Sequence, residues 1–222
     1  MNLALAVILT SLGGGAMQDQ TPPIFHPGAP GAGTRVITAR EAVALSRTTY
    51  SAADVAFMQH MIVHHAQAVE MVNLLREQGA DATVKRLGER IALSQEAEMA
   101  IMRDWLTVRG QPVEMPGMAA GGHAGMDHSM HQPAAPADDT PVMPGMLSPR
   151  QMRTLAAASG PAFDRLFLEG MIQHHQGALD MVDALMATPD AAEDPTLSDF
   201  TTSVVGDQSA EILRMQTILS DL

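Results

Sequence analysis

The sequence predicts an all-α protein: a four-helix bundle built from two repeated helical hairpins, each with a short leading helix. Three observations carry this. One Trp, one Tyr and five Phe stand among 222 residues otherwise rich in Ala, Leu and Met, a balance that favours helices over sheet. Residues 57–72, FMQHMIVHHAQAVEMV, return at 167–182 as FLEGMIQHHQGALDMV. Each copy is followed, after a few residues, by a second helical stretch, the pattern of an antiparallel hairpin.

In chain order, residues 1–17 hold a short apolar run ending in small residues, Gly14 and Ala16. That is the shape of a secretory signal segment, although no Lys or Arg precedes the run. Residues 18–37, rich in Pro and Gly, read as a disordered leader. The first repeat is expected over 38–110. Thr38-Ala39-Arg40-Glu41 is a capping box that opens a short helix to about Ser46. Ser51 to Asp54 opens the first long helix, which Gly79 should stop near Gln78. Asp81 caps the next helix, which ends at Gly110. The second repeat, 148–222, begins with Ser148-Pro149, continues with the second long helix to near Thr188-Pro189, and restarts at Asp194-Pro195.

The repeated stretch places its shared residues on one side of a helix. Phe57, His64, Ala68 and Met71 fall within about 60°, and Met61, His65 and Val72 widen the stripe to about 120°. Their partners are Phe167, His174, Ala178, Met181, Met171, His175 and Val182, all at an offset of 110. His60 shares the stripe, but Gly170 stands opposite it, so any site needing that histidine exists once. A Met at helical spacing is often core filler. A doubled His-His with the same Met neighbours asks for more, and thioether with imidazole suits soft metals, copper(I) above all. In the following helices Gln95, Glu98 and Met102 recur as Gln208, Glu211 and Met215, now at an offset of 113.

Composition removes several classes. With 13 Lys and Arg against 25 Asp and Glu the net charge is −12, so the basic footprint that nucleic acid requires is missing. There is no Cys, which leaves Met and His as the soft ligands. The signal-like segment points to a periplasmic or secreted location, and beyond it no uncharged stretch reaches membrane-spanning length.

Residues 111–147 form a Gly-, Pro- and Ala-rich linker expected to be flexible. It nevertheless carries Met115, Met118, His123, Met126, His128, Met130, His131, Met143 and Met146. Solvated thioethers waste apolar area and invite oxidation. A flexible chain dense in His is a metal-binding composition, so a loose collector of soft ions is the expectation.

The doubled MIxHHxxA…MV pattern, followed each time by Q-x-x-E-(Met/Ile)-x-x-M, resembles the family labelled domain of unknown function 305. The resemblance covers about residues 38–109 and 148–220, and is strongest over residues 147–182. It implies a ferritin-like bundle that binds copper or silver for tolerance or trafficking, with Met61, His64, His65, Met171, His174 and His175 as ligands. The leading expectation is therefore an exported, non-enzymatic copper-binding protein. Glu98 and Glu211 either ligate or orient imidazoles. The partners that reading allows are metal ions and a copper exporter or chaperone. Two rivals belong to other classes: a di-metal iron or manganese oxidoreductase, for which the Glu-x-x-His pair is missing, and a Met-rich interaction module.

Overall fold

The computed structural model describes residues 22–26, 33–45, 49–115 and 139–222. The expected signal segment lies outside them. The chain divides into two units, Met1–Arg47 and Thr48–Leu222.

In the first unit, β1 (Ile24–His26) pairs antiparallel with β2 (Arg35–Ile37), Phe25 opposite Val36, and α1 (Ala39–Leu45) follows. This pairing falls inside the stretch read as a disordered leader. Overall Pro and Gly content hid two short runs, Ile24-Phe25 and Val36-Ile37, of residue types that fit a strand. The capping box is present: Glu41 N donates to Thr38 Oγ1 at 3.2 Å, and Thr38 N donates to the Glu41 carboxylate at 2.8 Å.

The second unit is helical. Four long helices, α2 (Ala52–Gln78), α3 (Ala82–Val108), α5 (Gly160–Met186) and α6 (Pro195–Asp221), each run 27 residues, or about 40 Å. Short α4 (Pro149–Ala157) precedes α5. α2 packs along α3 and α5 along α6; α2 against α5 joins the two pairs, while α3 and α6 meet only sparsely. α2 ends at Gln78 with Gly79 as its cap, where the sequence places the stop, and Gly79 sits at φ −69° rather than in a left-handed conformation. Space selects it instead, since a Cβ there would press on Leu75 at 2.6 Å.

Two aspartates cross-lock the pairs. Asp54 closes the capping box of α2 with Ser51 and also accepts from Ala192 N, 2.8 Å away in the α5–α6 turn. That bond steadies Ala192 at φ +57°, a left-handed conformation that a non-Gly residue enters only at a cost. Asp164 on α5 reciprocates, accepting from Ala80 N at 3.1 Å and Asp81 N at 2.8 Å in the α2–α3 turn. Near the other end of α3, Trp105 Nε1 donates to Asp194, which caps α6 and also pairs with Arg109.

The core comes in two parts. One apolar cluster gathers Ala68 to Leu75 of α2, Val84 to Ala92 of α3, Phe163 to Met171 of α5, and Met215 and Ile218 of α6. The other takes the opposite halves of the same helices, from Phe57 to Ile62, Met99 to Leu106, Ala178 to Leu185 and Leu197 to Val204. Between them the sequence leaves a polar layer: His64, His65, Gln95, Glu98, His174, His175, Gln208 and Glu211.

Candidate metal centre

The two His-His steps bring four imidazoles to the middle of the bundle, all with no exposed surface. His64 and His174 meet across the α2–α5 seam with ring centroids 3.9 Å apart and planes tilted by 40°. His65 and His175 flank them, at 6.4 Å from His64 and 6.3 Å from His174 respectively.

Every ring uses Nε2 for a protein partner. His64 Nε2–H donates to Pro144 O at 3.1 Å, and His174 Nε2–H to the His64 carbonyl at 2.9 Å. A carbonyl can only accept, so both inner rings carry their proton on Nε2. His65 Nε2 meets Glu98 at 2.5 Å and His175 Nε2 meets Glu211 at 2.7 Å. Burial, then the neighbouring His65, pushes the pKa of His64 down to about 3. Burial, then His64, holds that of His174 well below its ordinary value. The inner pair is thus neutral, the form in which imidazole binds metal.

Each Nδ1 is left over. Seven buried side-chain atoms lack a hydrogen-bond partner among the described residues: the four histidine Nδ1 atoms, Gln95 Oε1, and both amide atoms of Gln208. All belong to the polar layer. An orphaned buried polar atom costs about 1–3 kcal/mol, so seven together would rival the roughly 5–15 kcal/mol by which a domain is stable at all. These atoms are the layer's uncommitted donors and acceptors. The donor set fits a soft ion, with Nε2 tethered to a carboxylate or carbonyl and Nδ1 left free, as metal-binding histidines are held. Among the described residues no three His, Asp or Glu side chains close on one point, so further donors would come from sulfur.

Thioethers flank the layer on both sides. Met61 and Met102 are buried in one apolar cluster, Met71, Met171 and Met215 in the other. Glu98 and Glu211 reach further out, with 11% and 14% of their side chains exposed. A groove of about 550 Å³ between α3 and α6, lined by Ser94, Asp207, Glu211 and Arg214 among others, opens beside them. Ser94 Oγ donates to Glu98 at 3.4 Å.

A short strap, residues 142–147, seals the α2–α5 seam. Gln67 clamps Leu147 on both sides, its Oε1 accepting from Leu147 N at 2.7 Å and its Nε2 donating to Leu147 O at 3.0 Å. Gln173 Nε2 donates to Gly145 O at 3.2 Å. Gly145 sits at φ +72° directly on Gly177, where a Cβ on either would overlap the other's backbone. Met143 and Met146 are buried. The end of the linker expected to be flexible is therefore fixed. Its Gly and Pro serve close approach to a helix rather than freedom.

The structure thus brings together His64, His65, His174, His175, Glu98 and Glu211, with Met61, Met71, Met102, Met171 and Met215 in the clusters alongside. His60, Met143 and Met181 line a separate groove. Met146 lies in the strap and Met115 is half-buried where the described part of the linker stops. Met118, His123, Met126, His128, Met130 and His131 lie outside the described residues. Sequence reasoning missed the strap and the orphaned Gln95 and Gln208. Two departures from the repeat point to the strap: His60 against Gly170, and Gln67 against Gly177.

The sequence model of domain of unknown function DUF305 matches residues 54–219. The chain belongs to the DUF305 family. A DUF305 fragment from Deinococcus radiodurans is similar in structure, with TM-score 0.62, 29% identity, and coverage of 78% of this chain and 99% of that one. A DUF305 protein from Streptomyces coelicolor, named as a candidate secreted protein, gives 0.61, 26%, 76% and 93%. CopM in its Cu(I)-bound form gives 0.53, 25%, 78% and 98%; CopM has also been solved with Cu(II) and with silver. No curated protein matches the chain. No helix among the described residues is long and apolar enough to cross a membrane.

Proposed function

We propose that this DUF305 protein is an exported, non-enzymatic carrier of copper(I), accepting silver(I), that serves metal tolerance or trafficking. Its long helices form a ferritin-like bundle of two repeats, and the ion is held in the polar layer where the repeats meet. The observation that carries the reading is the set of four unpartnered Nδ1 atoms on rings whose Nε2 atoms are already committed. Similarity to CopM, solved with copper and silver, supports the choice of ion.

Copper is cargo here. The histidines bind it, and Glu98 and Glu211 orient His65 and His175 and keep them from turning. Thioethers of Met61, Met102, Met171 and Met215 supply the soft donors that select copper(I) over zinc or iron. With both carboxylates engaged by imidazoles, little oxygen ligation remains for an iron or manganese pair, which disfavours the oxidoreductase reading. The linker's Met and His residues collect ions loosely for the bundle, and a copper exporter or chaperone is the fitting protein partner.

The reading is tested by loading the purified full chain with copper(I), silver(I), zinc(II) and iron(II) and counting retained ions after desalting. Retention of copper(I) and silver(I) above zinc and iron is expected. Preferential retention of iron would overturn it.

A further inference from the structure

The two halves differ where the strap crosses them. At Gly170 a Cβ would meet the Leu147 side chain at 3.1 Å and the Met71 methyl at 3.3 Å, so the strap has filled the space a side chain would need. At the corresponding place on α2 stands His60, half-buried and without a hydrogen bond among the described residues. It lines a groove of about 340 Å³ with Met143 of the strap and Met181 of α5. Pro144, Thr188, and Ala, Leu and Phe side chains complete the lining, and no charged residue takes part.

We propose that His60, Met143 and Met181 form a second soft-metal site, for copper(I) or silver(I), in the groove between α2, α5 and the strap. One imidazole and two thioethers are a donor set for a soft monovalent ion. Walls without carboxylates give a hard cation few oxygen donors to replace its water. The three donors come from three separate segments, so their meeting does not follow from helix periodicity. Met143 is the next methionine of the linker after Met130, and the residue that follows it, Pro144, holds His64 through its carbonyl. An ion arriving along the linker would therefore meet this groove one residue before the strap reaches the buried layer. The site exists once, because Gly170 offers no ligand.

This inference does not need the buried histidines to bind metal, and the test separates the two. Full-length protein carrying 13C-methyl methionine is titrated with silver(I) and followed by NMR, as wild type, H60A, M181L and H64A/H174A. The methyl resonances of Met143 and Met181 should move together in wild type and in H64A/H174A. In H60A and M181L the response of the remaining groove methionines should need about tenfold more silver or more, in keeping with the loss of one ligand. Methyls of Met143 and Met181 that stay still, or that respond equally in H60A, overturn the inference. If the groove methyls respond while those of Met61, Met102, Met171 and Met215 beside the buried layer do not, the proposal for the polar layer fails and this one stands; the reverse pattern sinks only the groove.

Discussion

The inner and outer histidine pairs reach the same end by different means. His64 and His174 donate Nε2–H to carbonyl oxygens of Pro144 and His64, groups that can neither ionise nor take a proton. His65 and His175 face the carboxylates of Glu98 and Glu211, which touch solvent. The inner pair is thus fixed by backbone, and its order depends on the α2–α5 seam and the strap. The outer pair is fixed by side chains from α3 and α6, helices that hardly meet. A ligand set intended to be permanent would need only the first device. The second leaves one side of the layer able to loosen, which suits the proposed carrier role.

The largest effect should come from the inner pair. H64A/H174A should weaken the tightest copper(I) binding by about a hundredfold or more, measured by competition with a chromophoric copper(I) chelator. If these were core residues only, the same change would cost on the order of 1–3 kcal/mol per unsatisfied partner and leave binding alone.

The outer pair should give a smaller loss. E98Q with E211Q keeps the shape but weakens the acceptor, and affinity should fall about 10–100-fold with little change in melting. D54N with D164N is the contrast, because those aspartates bind turn amides instead of imidazoles. Stability should fall by about 1–3 kcal/mol in denaturant titrations, with the number of bound ions unchanged.

Acid sharpens the comparison further. The inner histidines stay neutral in the folded state, His64 down to about pH 3, whereas the unfolded chain takes up their protons below about pH 6.5. The unfolded state therefore binds more protons within that window, and stability rises with pH across it. The metal-free protein should lose up to about 1.4 kcal/mol per pH unit for each inner histidine as pH falls from about 6.5. Urea midpoints of wild type and H64A/H174A at pH 7 and pH 5 measure this. An equal pH dependence in both would show the inner pair to be ordinary.

Much of this was legible in the sequence, for identifiable reasons. Three of the four long helices announce themselves through Ser51, Asp81 and Asp194 caps, and short α4 through Ser148, each of which holds its helix start; Ser159, before α5, makes no such bond. The repeated stripe located the four histidines, because helical period alone puts them on the buried side. The role of Glu98 was left open between ligand and orienter, since period tells which face a residue occupies and not which atom it meets. The strap was missed because Gly and Pro serve both loose chain and close-packed turns. Only contact with Gly177 and the positive φ of Gly145 tell them apart. The short strands near Ile24 and Val36 were masked by the same composition.

The smallest effect on the fold should come from the linker. Replacing Met118, His123, Met126, His128, Met130 and His131 by Ser should lower the number of loosely held copper(I) ions with helicity and melting almost unchanged. Circular dichroism with metal counting checks it, and a large loss of stability would show those residues to be structural.

Metal in the buried layer should sit on Nδ1, with thioether sulfur completing the ligand set, while Nε2 stays bound to protein. Nitrogen-15 NMR of histidine-labelled protein, before and after silver(I), reads both nitrogens of each ring. Nε2–H tautomers are expected at His64 and His174 without metal, and silver-dependent shifts at Nδ1 of the buried rings with Nε2–H retained. Silver shifts at Nε2, or none at any of the four rings, would contradict it.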